Sequence, residues 1–236
     1  MSVKSRLDKL WENGGCVILP PSTKLVFMSD FHANDGGPAD DLLKNEGVLL
    51  WALRDCLKDG YHLILLGDVE DFWECPDPAR IYSAHTELLN LLSRFDTLGR
   101  LIRIKGNHDW DTGYSEYQII QIGDIKILCI HGHQGDWAND QWRGLGQFIV
   151  RYIWTPLQWI GLRDLTVAKR KRHERQETEI MKWADENMVV VACGHTHRLT
   201  NSTFYKNSGS WVGNGGSLVR LVNGDWMARY FDKEGL

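Results

Sequence analysis

The sequence lacks several features that would assign it to a membrane or to an oxidising compartment. No apolar stretch is long enough to cross a membrane, and residues 1–11 contain no apolar signal core, so we expect no secretion signal. The five cysteines form no close pairs, and their odd number favours reduced thiols in a cytoplasmic protein. A net charge of −4 provides no general attraction to nucleic acid or anionic lipid.

The chain also has no internal repeat and no low-complexity segment. Its 236 residues are 43% hydrophobic and 25% charged, which is typical of a soluble globular protein. We therefore predict a single domain over residues 1–236 that contains an inserted subdomain.

Five short apolar runs each end in Asp, Asn or His, usually beside a glycine. The central one is 62–66, which is followed by Gly67, Asp68 and Asp71. The other four runs end at Ser29-Asp30-Phe31-His32, Gly106-Asn107-His108-Asp109, His131-Gly132-His133 and Gly194-His195-Thr196-His197. Runs this short and apolar are typical of strands covered on both faces, and open α/β sheets bind ligands at the carboxyl ends of such strands.

The spacing of apolar residues predicts helices between the first strands. We expect helices over 5–12, over 38–57 with Pro38 at its start, and over 78–93. Strands that alternate with helices indicate a parallel sheet with right-handed crossovers.

Later segments predict antiparallel strands. Residues 117–121 and 124–131 should form a hairpin about Gly123, which would make the sheet mixed. We expect further antiparallel strands over 202–232, with turns at Asn207-Ser208-Gly209, Gly213-Asn214-Gly215-Gly216 and Asn223-Gly224.

The stretch 134–187 interrupts the strands and predicts a helical lid. Residues 145–153 have the apolar spacing of an amphipathic helix, and a second helix is expected over about 164–187. Because the insertion lies between His131 and His195, both of its ends should reach the rim that carries the polar clusters.

The polar clusters contain the side chains that bind borderline divalent metals. Seven are candidate ligands: Asp30, His32, Asp68, Asn107, His131, His195 and His197. Seven ligands are too many for one ion, and Asp68 is the natural bridge between two. Two ions about 3.5–4 Å apart suit phosphoryl transfer, with a metal-bridging hydroxide attacking in line.

Three further residues receive catalytic roles. We expect His108 to face the substrate as a general acid or a phosphate donor, and Asp109 to orient its imidazole. Asp71 should hold a metal ligand or the metal-bound water.

Together the five motifs, which span residues 30–197, resemble those of the calcineurin-like metallophosphoesterase superfamily. The resemblance implies an α/β fold, a two-layered mixed β-sandwich flanked by helices. It implies one metal on Asp30, His32, Asp68 and His197, and a second on Asp68, Asn107, His131 and His195. Manganese is the first choice of metal, with iron, zinc or nickel as alternatives.

Within the superfamily the chain is similar to UDP-2,3-diacylglucosamine pyrophosphatases, in its size, in its insertion after His131 and in the run from Gly194 to Arg198. It departs from them at His108, where those enzymes usually carry arginine. The resemblance therefore leaves two substrate classes, a soluble phosphoester or a nucleotide-linked lipid reached through the lid. A nuclease and a non-catalytic scaffold are further alternatives, although nucleic acid is not the expected partner.

Candidate substrate contacts are Arg198, His133, Trp137 and Arg143. The tryptophans of the lid are interpreted as packing, or as an apolar groove that also gives peripheral contact with a membrane. The basic run 169–172 is interpreted either as a solvated helix face or as an anion-binding patch. His62, His85 and His173 are interpreted as structural.

Overall fold

The structure, a computed structural model, describes residues 2–109, 112–133 and 167–232, with side chains from residue 173 onward in the last range. The helices described are α1 Val3–Asn13, α2 Glu46–Lys58, α3 Pro78–Ala84, α4 Thr86–Thr97 and α5 Val167–Asn187. The strands described are β1 Cys16–Leu19, β2 Leu25–Met28, β3 His62–Leu65, β4 Leu101–Arg103, β5 Tyr117–Ile122, β6 Ile125–Ile130, β7 Val190–Cys193, β8 Thr200–Asn201, β9 Tyr205–Asn207, β10 Gly216–Val222 and β11 Asp225–Phe231.

The strands form two mixed sheets. In the first sheet the order is β1-β5-β6-β7-β9-β8, and in the second it is β11-β10-β2-β3-β4. Strands β2, β3 and β4 are parallel, as the alternation with helices predicts, and β10 runs antiparallel to β2. The predicted hairpin about Gly123 is present as β5 and β6, but it belongs to the other sheet. The predicted fold class, a two-layered mixed sandwich flanked by helices, is confirmed.

The central strands β2 and β3 of the second sheet are buried on both faces, and their successive side chains point to opposite sides of the sheet. Phe27 and Ile64 lie in the apolar layer between the two sheets, while Met28 and Leu65 pack in the layer that contains residues of α2 and α4. All four are completely buried. This double burial is why β2 and β3 have no polar alternation in the sequence.

Helices α1 and α5 cover the outer face of the first sheet. Leu7 from α1 and Trp183 from α5 are buried in one apolar cluster with Leu128 and Val191 of the sheet. The indole nitrogen of Trp183 donates to Asp8 Oδ1 at 2.7 Å, so its polar atom is satisfied at the helix interface.

The predicted helix from Pro38 was wrong in its start, because α2 begins only at Glu46. The carboxylate of Asp40 accepts the backbone N–H groups of Gly36 and Leu42, at 2.9 and 3.2 Å. Side-chain bonds to the backbone compete with helix formation, so residues 38–45 form turns instead.

The predicted helix 78–93 was also wrong, because it is two helices that meet at His85. The imidazole of His85 is completely buried, with Nε2 2.7 Å from Asp40 Oδ2 and Nδ1 2.8 Å from Glu46 Oε1. The interpretation of His85 as a structural residue therefore agrees with its contacts, since it ties three segments together.

Of the three predicted turns near the C-terminus, one joins a hairpin. Asn223 and Gly224 both have positive φ, 53° and 90°, as a two-residue type I′ connection between β10 and β11 requires. The turn predicted at Asn207-Ser208-Gly209 was wrong, because β9 belongs to the first sheet and β10 to the second. The turn predicted at Gly213–Gly216 was wrong for the same reason, because this segment leads from β9 of the first sheet into β10 of the second.

The predicted lid is described only in its last part. Helix α5 corresponds to the helix expected over about 164–187. Residues 134–166, including the predicted helix over 145–153, lie outside the described residues, as do the side chains of 169–172. Among the described helices, none combines the length and the apolar character needed to cross a membrane.

Candidate metal centre

The ends of five strands from both sheets meet at one rim and bring together all seven predicted ligands. The segments are those that follow β2, β3, β4, β6 and β7. The donor atoms form three groups, and within each group all of them lie within 4.8 Å of one another. The groups are Asp30, His32 and His197; Asp68, His131 and His195; and His32, Asp71 and His108. Each of the first two groups could hold one divalent ion.

The first group is built around the carboxylate of Asp30. Its Oδ2 accepts hydrogen bonds from Ser29 Oγ at 2.5 Å and from the backbone N–H of His195 at 2.9 Å. Its Oδ1 lies 3.1 Å from Nε2 of His197 and 3.8 Å from Nε2 of His32, with no hydrogen bond of acceptable geometry. Oδ1 is therefore the free ligand atom, and both imidazoles direct Nε2 toward it.

The second group is built around Asp68 and His131. His131 Nδ1 donates to the carbonyl of Leu66 at 2.7 Å, which leaves Nε2 as the ligand atom of the neutral ring. Nε2 lies 3.1 Å from Asp68 Oδ2, 3.1 Å from Asn107 Oδ1 and 3.2 Å from His195 Nδ1. Three donor atoms of other residues thus lie within 3.2 Å of this nitrogen.

Asp68 lies between the two groups. Its Oδ2 is 3.1 Å from His131 Nε2 and 3.8 Å from His32 Nε2, whereas its Oδ1 accepts the backbone N–H of His108 at 2.7 Å. Asp68 Oδ2 therefore lies within 4 Å of an imidazole nitrogen from each of the two groups.

The ligand segments have an unusual backbone conformation. Of the seven non-glycine residues with positive φ in the described chain, five are predicted ligands: Asp30 (55°), His32 (49°), Asp68 (54°), His195 (67°) and His197 (58°). Such conformations cost of order 1–3 kcal/mol each and persist where the surroundings enforce them. Their concentration here indicates that surrounding contacts hold the candidate ligand side chains in fixed orientations.

Two glycines make room for the carboxylates. A Cβ atom on Gly106 would lie 2.1 Å from Asp68 Oδ1, and one on Gly194 would lie 2.4 Å from Asp30 Oδ2. Neither position tolerates a side chain, because the loops pass within contact distance of the ligands.

The charges and the unsatisfied atoms fit divalent cations. Burial opposes ionisation of Asp68, but neighbouring histidines, first His131, hold its pKa far below the usual value. Burial likewise opposes a charged His131, yet Asp68 raises its pKa to about 9. Buried Asp30 Oδ1 and His32 Nε2 make no hydrogen bond among the described residues. A site of ionised carboxylates and an unsatisfied imidazole nitrogen requires positive charge, which protons or metal ions supply.

The side chain of His108 contacts Asp71 and Trp73 and remains partly exposed. Its Nδ1 lies 2.9 Å from Asp71 Oδ2, and its ring stacks on Trp73 with centroids 4.5 Å apart. Asp71 Oδ2 also lies 2.9 Å from His32 Nδ1, so one carboxylate holds a predicted ligand and the predicted acid together. Burial opposes the charge on Asp71, but His108 and His32 hold its pKa far below the usual value.

The prediction that Asp109 orients His108 was wrong. Asp109 is completely buried, and its two carboxylate oxygens accept the backbone N–H groups of Asp68, Val69, Glu70 and Gly106. Burial, and then the charges of Asp68 and Glu70, raise the pKa of Asp109 to about 7, although Arg103 acts in the opposite direction. Asp109 therefore holds the loop that carries Asp68. Asp71, and not Asp109, contacts the imidazole of His108.

The candidate substrate contacts have different positions. His133 is buried, with its ring 5.4 Å from that of His131. Arg198 is largely exposed, and its Nη1 pairs with Glu177 Oε2 at 3.3 Å. Trp137 and Arg143 lie outside the described residues.

Helix α5 supplies site residues that the sequence interpretation missed. The ring of His173, which was interpreted as structural, lies 4.8 Å from that of His195. Gln176 donates to the carbonyl of Gly132, and Thr200 Oγ1 donates to Glu177 at 3.2 Å. The spacing of residues 173, 176 and 177 could have predicted this, because residues three and four apart share one face of a helix, and this helix leads into the strand before His195.

Comparison with known proteins identifies the family. The sequence profile of the calcineurin-like phosphoesterase superfamily domain matches residues 24–229. The chain therefore belongs to the calcineurin-like phosphoesterase superfamily, whose members generally bind divalent metals. No curated protein sequence gives a significant match.

Solved structures with similar architecture have low sequence identity. A predicted phosphoesterase from Streptococcus pneumoniae is 16% identical over 90% of this chain and 91% of its own, with a TM-score of 0.42. Vps29 from Entamoeba histolytica in complex with zinc is 19% identical over 89% of this chain and 99% of its own, with a TM-score of 0.44. Vps29 from Chaetomium thermophilum is 13% identical over 88% and 95%, with a TM-score of 0.42. The family assignment rests on the sequence profile, not on these similarities.

Proposed function

We propose that this chain hydrolyses a phosphate ester or pyrophosphate bond with two divalent cations held at the rim. The observation that carries the proposal is the position of Asp68, whose Oδ2 lies within 4 Å of an imidazole nitrogen from each donor group. One ion would be held by Asp30, His32, Asp68 and His197, and the other by Asp68, Asn107, His131 and His195. When bound, such ions polarise phosphoryl oxygens and lower the pKa of coordinated water. Manganese is our first choice of metal.

His108 would donate a proton to the leaving oxygen. Because Asp71 engages Nδ1, Nε2 is left for the substrate, and the side chain is 17% exposed. The contact with Asp71 and the stack on Trp73 restrict rotation of the His108 ring. Asp71 therefore positions the acid, and Asp109 keeps the Asp68 loop in place.

The substrate is either a soluble phosphoester or a nucleotide-linked lipid. Helix α5, the described end of the predicted lid, borders the metal centre through His173 and Gln176. This supports the lipid alternative, a pyrophosphatase similar to those acting on UDP-2,3-diacylglucosamine, with peripheral contact to the inner face of a membrane. The same proposal places the protein in the cytoplasm.

Two assays test the activity and its substrate class. We expect protein loaded with manganese to hydrolyse bis-p-nitrophenyl phosphate, diacylated UDP-glucosamine, or both, and preference for the second would select the lipid alternative. Inertness toward both at full metal occupancy would favour a non-catalytic scaffold. DNA binding that weakens steeply with salt would instead revive the nuclease alternative.

A variant tests the role of His108. His108→Ala should keep its metal but lose about 10²–10⁴-fold in turnover, as loss of a general acid does. The loss should be largest for substrates with poor leaving groups and small for p-nitrophenolate. An equal loss across leaving groups would contradict the proton-donor role.

A further inference from the structure

The segment Asn207-Ser208-Gly209, which the sequence predicted to be a hairpin turn, lies beneath the metal centre. Asn207 is the last residue of β9, and Ser208 and Gly209 follow it. All three are buried, and Asn207 is completely inaccessible. This segment lies outside the five motifs that supply the ligands. Its side chains nevertheless contact the first and the last of them.

Asn207 holds the turn that carries two ligands. Its Nδ2 donates to the carbonyl of Gly194 at 2.8 Å and to Thr196 Oγ1 at 3.0 Å. The Gly194 carbonyl also accepts the N–H of Thr196 at 2.8 Å, which closes the turn tightly. His195 and His197 flank Thr196 and both have positive φ, so the amide of Asn207 fixes the strained turn from below.

Ser208 acts on Asp30 through Ser29. Ser29 Oγ lies 2.5 Å from Asp30 Oδ2 and 2.7 Å from Ser208 Oγ. A hydroxyl has one proton, and the ionised carboxylate is the stronger acceptor, so Ser29 donates to Asp30 and Ser208 donates to Ser29. This chain of hydroxyls occupies Oδ2 and leaves Oδ1 of Asp30 facing His32 and His197.

The backbone of the segment is fixed independently of the ligands. The N–H of Gly209 donates to Asn207 Oδ1 at 2.9 Å, and that of Ser208 donates to the Cys193 carbonyl at 2.9 Å. Ser217 Oγ donates to the Ser208 carbonyl at 2.8 Å. The segment is thus a preorganised support and not a loop that follows the metal.

We propose that Asn207 and Ser208 are positioning residues of the metal centre, with Asn207 aligning His195 and His197 and Ser208 aligning Asp30. The proposal rests on the function proposed above in so far as those three side chains hold cations. The two residues are expected to act differently on the two ions, which a purely structural role does not predict. Asn207 touches the turn that serves both ions, whereas Ser208 serves only the ion held by Asp30.

The test is titration of the metal-free protein with Mn²⁺ in a calorimeter, without substrate. Loss of a residue that orients a ligand typically lowers metal affinity about 10–100-fold. We expect Asn207→Ala to weaken both ions by this factor, and Ser208→Ala to weaken one ion and leave the other unchanged.

Asn45→Ala is the matched control. Asn45 is also a completely buried asparagine whose amide donates to two carbonyls, those of Trp211 and Gly213, and it contacts no predicted ligand side chain. It should lower the melting temperature but keep the affinity for manganese. An equal affinity loss in Asn45→Ala would overturn the proposal, because the effect would then be general destabilisation.

The remaining outcomes are also decisive. If Asn207→Ala does not fold, Ser208→Ala decides, because it removes a single oxygen, and wild-type affinity for both ions would overturn the proposal. Wild-type affinity in Asn207→Ala would do the same. Absence of manganese binding by the wild-type protein would instead refute the proposed function, so the two failures are distinguishable.

Discussion

The substitution Asp109→Asn tests whether this carboxylate supports the Asp68 loop. One oxygen of Asp109 accepts the N–H groups of Val69 and Glu70, at 2.9 and 3.3 Å, and the other accepts those of Asp68 and Gly106, at 2.7 and 2.9 Å. Asparagine has the same shape but only one oxygen. Whichever way the amide turns, its NH₂ group faces two backbone donors that have no other acceptor described.

The expected loss of stability follows from these two donors. A buried N–H left without an acceptor costs about 1–3 kcal/mol, so the substitution should lower the free energy of unfolding by roughly 2–6 kcal/mol. This is a large fraction of the stability of an ordinary domain, about 5–15 kcal/mol. The variant should therefore fold but unfold at clearly lower denaturant concentration.

Urea unfolding of the metal-free protein, followed by tryptophan fluorescence, measures this loss. Asp124→Asn is the control, because Asp124 is exposed in the turn between β5 and β6, and its substitution should change stability by about 0.5 kcal/mol or less. A loss below about 1 kcal/mol in Asp109→Asn would refute the reasoning, since the four contacts would then not support the loop.

Two further substitutions test the shared ligand and the buried histidine. Asp68→Ala should abolish binding of both metal ions, because both donor groups lose a ligand, and calorimetry or metal analysis that finds one ion at wild-type affinity would contradict the bridging role. Although burial opposes the charge on His85, Asp40 and Glu46 raise its pKa above 6.5. The stability that this proton provides is fully present below that pH and is lost as pH rises through the folded-state pKa. As the pH rises above 6.5, wild-type protein should therefore lose stability relative to His85→Gln, and a stability difference that does not change with pH would contradict this.

Several parts of the fold and the site could be predicted from sequence because they depend on local pattern. Short apolar runs that stop at glycine or at a polar residue identified β2, β3, β6 and β7 together with the ligands that follow them. The helix breaks could not be predicted in this way. His85 interrupts a continuous apolar pattern, and its partners Asp40 and Glu46 are distant in sequence.

The roles of the acidic residues show the same limit. Asp71 and Asp109 both follow a predicted ligand closely, and spacing alone favoured the immediate neighbour of His108 as its partner. The fold reverses this choice, because Asp109 is directed under the Asp68 loop while Asp71 reaches His108 across the rim.

Local sequence pattern was enough to predict the candidate donors, their order, and their position at the ends of buried strands, since these are properties of neighbouring residues. The folded chain was needed to show that two sheets share the site, that five candidate ligands have positive φ, and that Asn207 and helix α5 reach it. These contacts join residues far apart in the chain, and the spacing of residues along a sequence does not record which distant segments become neighbours.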